Sequence, residues 1–182
     1  SICLRHDVDF SLFDALEMSK IEKELNIKAT YFFMVSSNTY NLLSYESKEI
    51  VNLINQNGHD ISLHFDPTCY EDIDRGFKIE RKLFEEAFNK KIELISKHRP
   101  NNFLENNNRQ MKGCEHTYED KYFKEMIYLS DSGGADLIDR FNKINSQKIN
   151  KPFHLLMHPI WWIYKSNSPT DTLNNWLRSY NK

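Results

Sequence analysis

Arg5-His6-Asp7-Val8-Asp9 is the stretch whose reading decides the fold: it ends an apolar run that opens at Ile2 and carries two carboxylates two residues apart. In a β-strand, residues i and i+2 point to the same face, so Asp7 and Asp9 project side by side where the strand meets solvent. Two carboxylates that close destabilise each other's ionised form unless a cation or a proton relieves the repulsion. The pair therefore points to a metal site with a base beside it. A strand-end turn carrying two solvated acids is the alternative.

Further short apolar runs at 29–35, 61–65, 92–95, 126–129 and 153–157 read as strands. Between the first four strands lie segments with helical spacing: Leu12, Leu16, Ile21 and Leu25; Ile50, Leu53 and Ile54; Ile73, Phe77, Phe84 and Phe88. Asn57-Gly58 closes the second helix, as a glycine past the last turn should. Strand alternating with helix at roughly thirty-residue intervals is the pattern of a parallel α/β sheet or barrel. After Arg99-Pro100 the order lapses into a polar, Asn-rich stretch over 101–121, and a loop of that length is usually functional or mobile. It resumes with the strand that leads to Asp131, a helix over about 136–146, the sixth strand and a last helical segment near 172–180. No repeat or linker divides the chain, so residues 1–182 are expected to form one domain.

Composition limits the function classes. The hydrophobic fraction of 40% and charged fraction of 27% are those of a globular chain. A net charge of −2 gives no electrostatic footprint for nucleic acid, and no window holds the eighteen or so consecutive apolar residues of a membrane span. Cys3, Cys69 and Cys114 contain no C-x-x-C pair and are odd in number, so they read as ordinary thiols of a reducing compartment, with a cytoplasmic location expected. The chain enters its first strand at once, with no leader-like segment, and reads as trimmed at its N-terminus.

Parallel α/β folds gather their active sites at the carboxyl ends of the strands. Standing there are Asp7 and Asp9, then His64-Phe65-Asp66, His98-Arg99, Asp131-Ser132 and His158. Pro67, Pro100 and Pro159 follow close behind three of these groups, where a residue without an amide donor helps end a strand. Histidine and carboxylate from different strands are ligands for zinc or a similar divalent ion, and Asp9 with His64 form the best pair. Asp7, beside the metal, could take a proton from water; His158 could protonate a leaving group.

These residues also carry a resemblance. His6-Asp7-Val8-Asp9, Ala29-Thr30-Tyr31-Phe32-Phe33, Gly58-His59-Asp60-Ile61-Ser62-Leu63-His64, Arg99-Pro100 and Leu155-Leu156-Met157-His158 occur in the order found in the NodB-type polysaccharide deacetylases, carbohydrate esterase family 4. The chain resembles a divergent branch of that family, associated with surface-polysaccharide biosynthesis. The resemblance implies an α/β fold, a distorted (β/α) barrel of about six or seven parallel strands. It further implies metal-dependent removal of an acetyl group from an N-acetylated sugar, with a carbohydrate as the partner and Zn2+ as the expected cofactor.

Residue by residue, the resemblance makes Asp7 the general base, Asp9 and His64 metal ligands, and His158 the general acid. Asp131 would orient His158, Arg99 would pair with the base carboxylate, and Leu156 would form a wall for the acetyl methyl. Trp161 and Trp162 could stack on a sugar ring or pack in the core. The family's second motif holds two histidines four residues apart, but Thr68 stands at the second position here. Asp66 is the favoured replacement and His98 the alternative; a metal held weakly or not at all is the third possibility. His59 reads as structural. A hydrolase of another amide or ester and a non-catalytic carbohydrate-binding barrel are the rival functions.

Overall fold

The computed structural model describes residues 1–99, 111, 113–147, 149–164 and 166–180. Seven strands, β1 (Ile2–Val8), β2 (Thr30–Phe33), β3 (Asp60–Phe65), β4 (Leu94–Lys97), β5 (Glu115–His116), β6 (Ile127–Ser130) and β7 (Phe153–Met157), form one sheet in the order β5-β4-β3-β2-β1-β7-β6. Every pairing is parallel. The helices among the described residues are α1 (Leu12–Glu24), α2 (Tyr45–Gln56), α3 (Ile73–Phe88), α4 (Asp120–Phe123), α5 (Leu137–Asn145), α6 (Ile160–Ile163) and α7 (Pro169–Tyr180).

The helices begin where short polar side chains satisfy free amides of the first turn. Ser11, Ser44, Asp72 and Asp136 accept from the backbone N–H groups of Asp14, Ser47, Arg75 and Asp139, a contact of about 1 kcal/mol each. α2 stops at Asn57, and Gly58 turns the chain with φ +99°, a conformation that favours glycine.

Alternation along the strands sorts side chains between the two faces. Val8, Tyr31, Phe33, Leu63 and Phe65 join Ala15, Ile54, Phe77 and Phe84 in the main core. The intervening Arg5, Asp7, Phe32, His64 and Ser96 face the inside of the sheet's curl. Neighbouring strands lie about 4.8 Å apart, so β1 and β4, three strands away, would be about 14 Å apart in a flat sheet. Arg5 nevertheless meets Ser96 of β4 at 2.6 Å, which only a strongly curled sheet permits. Tyr118, just beyond β5, approaches Tyr128 of β6 with ring centroids 6.2 Å apart. The two edges thus meet through aromatic side chains, giving the expected distorted barrel with seven strands.

Two expectations need correction. The stretch read as loop over 101–121 contains β5, whose Glu115 and His116 pair with Leu94 and Ile95 of β4; a two-residue strand leaves no periodic signal. Pro100 and residues 101–110 of that stretch lie outside the described residues. On α1, Ile21 and Leu25 are exposed, while Leu12, Ala15, Met18, Ser19 and Glu22 are buried. The reason is a polar core: the Glu22 carboxylate receives the Tyr31 hydroxyl at 2.6 Å and pairs with His6 Nε2 at 2.8 Å. His59 closes the same network, with Nε2 3.0 Å from the Ser19 carbonyl and Nδ1 3.7 Å from Glu22.

Candidate metal centre and catalytic cleft

The carboxyl end of β1 is pinned from outside the sheet. Tyr40 donates its hydroxyl to the Val8 carbonyl at 2.6 Å, and Thr39 donates to the Asp9 carbonyl at 2.8 Å. Asp7 and Asp9 therefore enter a cleft of about 580 Å³ from a fixed backbone. His64, His98, Leu156, His158 and Trp161 also line it, so the ends of β1, β3, β4 and β7 all converge there.

Asp9, His64 and His98 bring their ligand atoms within 4.8 Å of one another. Asp9 Oδ1 lies 3.2 Å from His64 Nε2 but is buried without a hydrogen bond, and Asp9 Oδ2 lies 3.9 Å from His98 Nε2. Three ligand atoms that converge this closely, beside a buried carboxylate oxygen with no hydrogen bond of its own, suit a shared cation, and a two-histidine, one-carboxylate set suits Zn2+ or a similar ion. The residues present therefore fit the metal.

Asp66, the favoured third ligand from the sequence, stands one shell back. One of its oxygens accepts the Thr68 amide at 2.9 Å and the Thr68 hydroxyl at 2.6 Å, and the other lies 2.9 Å from His98 Nδ1. Its carboxylate thus turns away from Asp9 and toward the back of His98, leaving Nε2 as the nitrogen that faces the cleft. Thr68, where the family pattern has a histidine, caps this carboxylate.

Asp7 is held from its own strand. Arg5 donates Nε to Oδ1 at 2.9 Å and Nη2 to Oδ2 at 2.6 Å, and Ser96 donates its hydroxyl to Oδ2 at 2.9 Å. Burial alone would raise the Asp7 pKa, but the Arg5 guanidinium and the nearby His64 hold it well below the usual carboxylate range. Arg99 does not make this pair, which corrects the sequence reading. It follows β4 in a left-handed conformation (φ +50°), is 62% exposed at its side chain, and reaches Asp66 at 3.6 Å and the Thr68 hydroxyl at 3.4 Å.

Across the cleft, His158 Nδ1 lies 2.6 Å from Asp131 Oδ1, and both Asp131 oxygens also accept the His158 backbone N–H. Trp162 donates its indole N–H to Asp131 Oδ2 at 2.7 Å. Trp162 is thereby tied to the carboxylate, while Trp161 and the buried Leu156 face the cavity. Burial would lower the His158 pKa, but Asp131 and Asp9 raise it above the ordinary histidine value. His158 Nε2 points toward Asp9 Oδ2 at 3.7 Å. His64 is raised by Asp7 and Asp9 against its burial.

The sequence reading passed over Arg5, Ser96 and Tyr118. Arg5 carried a usable signal, since it stands two residues before Asp7 and so shares its face. Ser96 and Tyr118 carried none, because only the curl of the sheet brings them to β1.

No family model matches the chain, and no curated protein matches it. Solved structures do. A peptidoglycan deacetylase from Bacillus subtilis superposes with a TM-score of 0.58 at 12% identity, over 99% of this chain and 83% of that one. A chitin deacetylase from the fungal pathogen Colletotrichum lindemuthianum gives 0.56 at 15% identity, over 98% and 81%. A CE4 family pseudoenzyme from Bacillus anthracis gives 0.55 at 16% identity, over 99% and 60%. The likeness is one of fold, and the chain spans about three-fifths of the length of the pseudoenzyme.

Proposed function

We propose that this chain, which has the fold of the CE4 polysaccharide deacetylases, is a metal-dependent hydrolase that removes an acetyl group from an N-acetylated sugar of a polysaccharide or its precursor. One observation carries the reading: the potential ligand atoms of Asp9, His64 and His98 lie within 4.8 Å of one another, next to a carboxylate gripped by an arginine, Asp7 with Arg5, and a histidine backed by a carboxylate, His158 with Asp131.

A bound divalent cation would polarise the acetamide carbonyl and make water more acidic. Asp7 accepts the proton of the attacking water through the carboxylate that Arg5 and Ser96 keep charged. His158, protonated with help from Asp131, donates to the nitrogen as the carbon–nitrogen bond breaks. Water adds to the carbonyl carbon, so acetate and a free amine are the products. Leu156 and Trp161 supply the apolar wall against which the methyl group and the sugar ring rest.

The test is metal analysis of protein purified without chelator, followed by acetate release from N-acetylhexosamine oligomers. About one equivalent of metal, and chelator-sensitive acetate release restored by Zn2+, is the expected result. Likeness to a pseudoenzyme gives a second reading some footing, a carbohydrate-binding barrel without turnover. Oligomer binding with neither metal nor acetate release would establish that one instead.

A further inference from the structure

The sequence pattern points to Arg99 as the partner of the base, yet Arg99 is turned toward Asp66 and Thr68. Another arginine occupies that place. Arg5 is 1% exposed and makes a two-pronged contact with both oxygens of Asp7, a geometry that fixes the plane of a carboxylate as well as its charge. The same Nη2 also lies 2.6 Å from Ser96 Oγ and 3.2 Å from the Tyr118 hydroxyl, its two N–H groups shared among the three acceptors. Ser96 passes a hydrogen bond on to Asp7, so the guanidinium grips the carboxylate directly and through a hydroxyl. The rings of Tyr118 and Phe32 lie within cation–π reach, with centroids 4.9 Å and 5.8 Å from the guanidinium carbon.

We infer that Arg5 is the positioning residue for the base: a guanidinium supplied by β1 itself, braced by Ser96 of β4 and by Tyr118 at the sheet edge, orients Asp7 toward the reacting water. The inference rests on the reading of Asp7 as base. It gives the closure of the barrel a chemical role, because Tyr118 reaches Arg5 only where the β5 edge folds over to meet Tyr128 of β6. A buried arginine–carboxylate pair could equally be structural, since breaking one costs stability. The test must therefore read something that stability does not move.

Arg5→Lys keeps the charge but loses the two-pronged contact, and Ser96→Ala removes only the brace. Expected are kcat losses of about 100-fold for Arg5→Lys, as for a misplaced catalytic group, and of roughly 10-fold for Ser96→Ala. KM and zinc affinity should stay within about threefold, since neither residue is a ligand. Free guanidinium at sub-denaturing concentration should restore part of the Arg5→Ala activity, while ammonium should not. Arg99→Ala should cost at least ten times less in kcat than Arg5→Lys. Equal kcat losses at Arg5 and Arg99, or an Arg5→Lys loss that appears wholly in zinc affinity, would overturn the inference.

If the unmodified protein releases no acetate under any metal, the proposed function fails, and the pair is then read by NMR. A slowly exchanging Arg5 Nε–H that shifts in both Asp7→Asn and Ser96→Ala supports the clamp; one that exchanges with solvent in the unmodified protein refutes it.

Discussion

Replacing His98 by Ala, beside Asp66 by Asn and by Ala, decides which of the two residues completes the proposed metal centre. Structural zinc sites with four protein ligands hold the ion by about 10–16 kcal/mol, so one ligand accounts for about 2.5–4 kcal/mol. His98→Ala should thus weaken zinc binding by about 60- to 700-fold, at about 1.4 kcal/mol per tenfold. Asp66 acts on the far nitrogen of His98, 2.9 Å away, and carboxylates in that position typically contribute 10- to 100-fold. Asp66→Asn, whose amide oxygen can still accept from Nδ1, belongs near the lower figure, and Asp66→Ala near the upper. The assay is competition against a chromophoric chelator at fixed pH, with circular dichroism to confirm folding. A larger loss for Asp66→Ala than for His98→Ala would refute the geometry and return Asp66 to the ligand set.

Three other perturbations have calculable outcomes. Asp7→Asn should reduce kcat by about 100- to 10,000-fold, the range of a general base, while zinc binding measured by the same competition stays near that of the unmodified protein. Asp14 is buried in α1 and its pKa is raised to about 6, mainly by desolvation. The folded state therefore keeps a proton that the unfolded chain releases near pH 4, and stability falls as pH rises from about 4 to 6. The shift corresponds to at most about 3 kcal/mol, part of it offset by the helix N-terminus. Asp14→Ala should accordingly gain about 1–2 kcal/mol in urea unfolding at pH 7.5 and nothing through this group at pH 4. Gly76→Ala should be destabilising by about 1–3 kcal/mol despite alanine's helix propensity, because the new methyl would overlap the Tyr70 ring; a raised Tm would contradict that packing.

Much of the fold was legible because its signals are local. The strand that includes Asp7 and the run over Phe153–Met157 stand out as apolar segments, and Gly58 marks the end of α2. The limits of this kind of reading show in α1, where spacing selected Leu16, Ile21 and Leu25 while the buried stripe includes Ser19 and Glu22. A carboxylate that belongs inside because His6 and Tyr31 wait for it looks, in sequence, like any surface acid. Among the site residues, strand-end position placed Asp131 and His158 on one rim, the family resemblance implied that they pair, and the structure joins them at 2.6 Å.

What the sequence by itself determined is which groups stand at strand ends: alternation with a period of two, together with the breaks after each strand, commits Asp7, Asp9, His64, His98, Asp131 and His158 to one rim of a parallel sheet. What only the tertiary structure decided is which of these side chains meet. The choice of His98 over Asp66 to face Asp9 depends on which way a side chain turns after the strand has ended, where periodicity says nothing. The choice of Arg5 over Arg99 as the partner of Asp7 depends on curvature. Ser96 on β4 and Tyr118 just beyond β5 would lie far from β1 in a flat sheet, and the curl that brings them around the guanidinium is a property of all seven strands together.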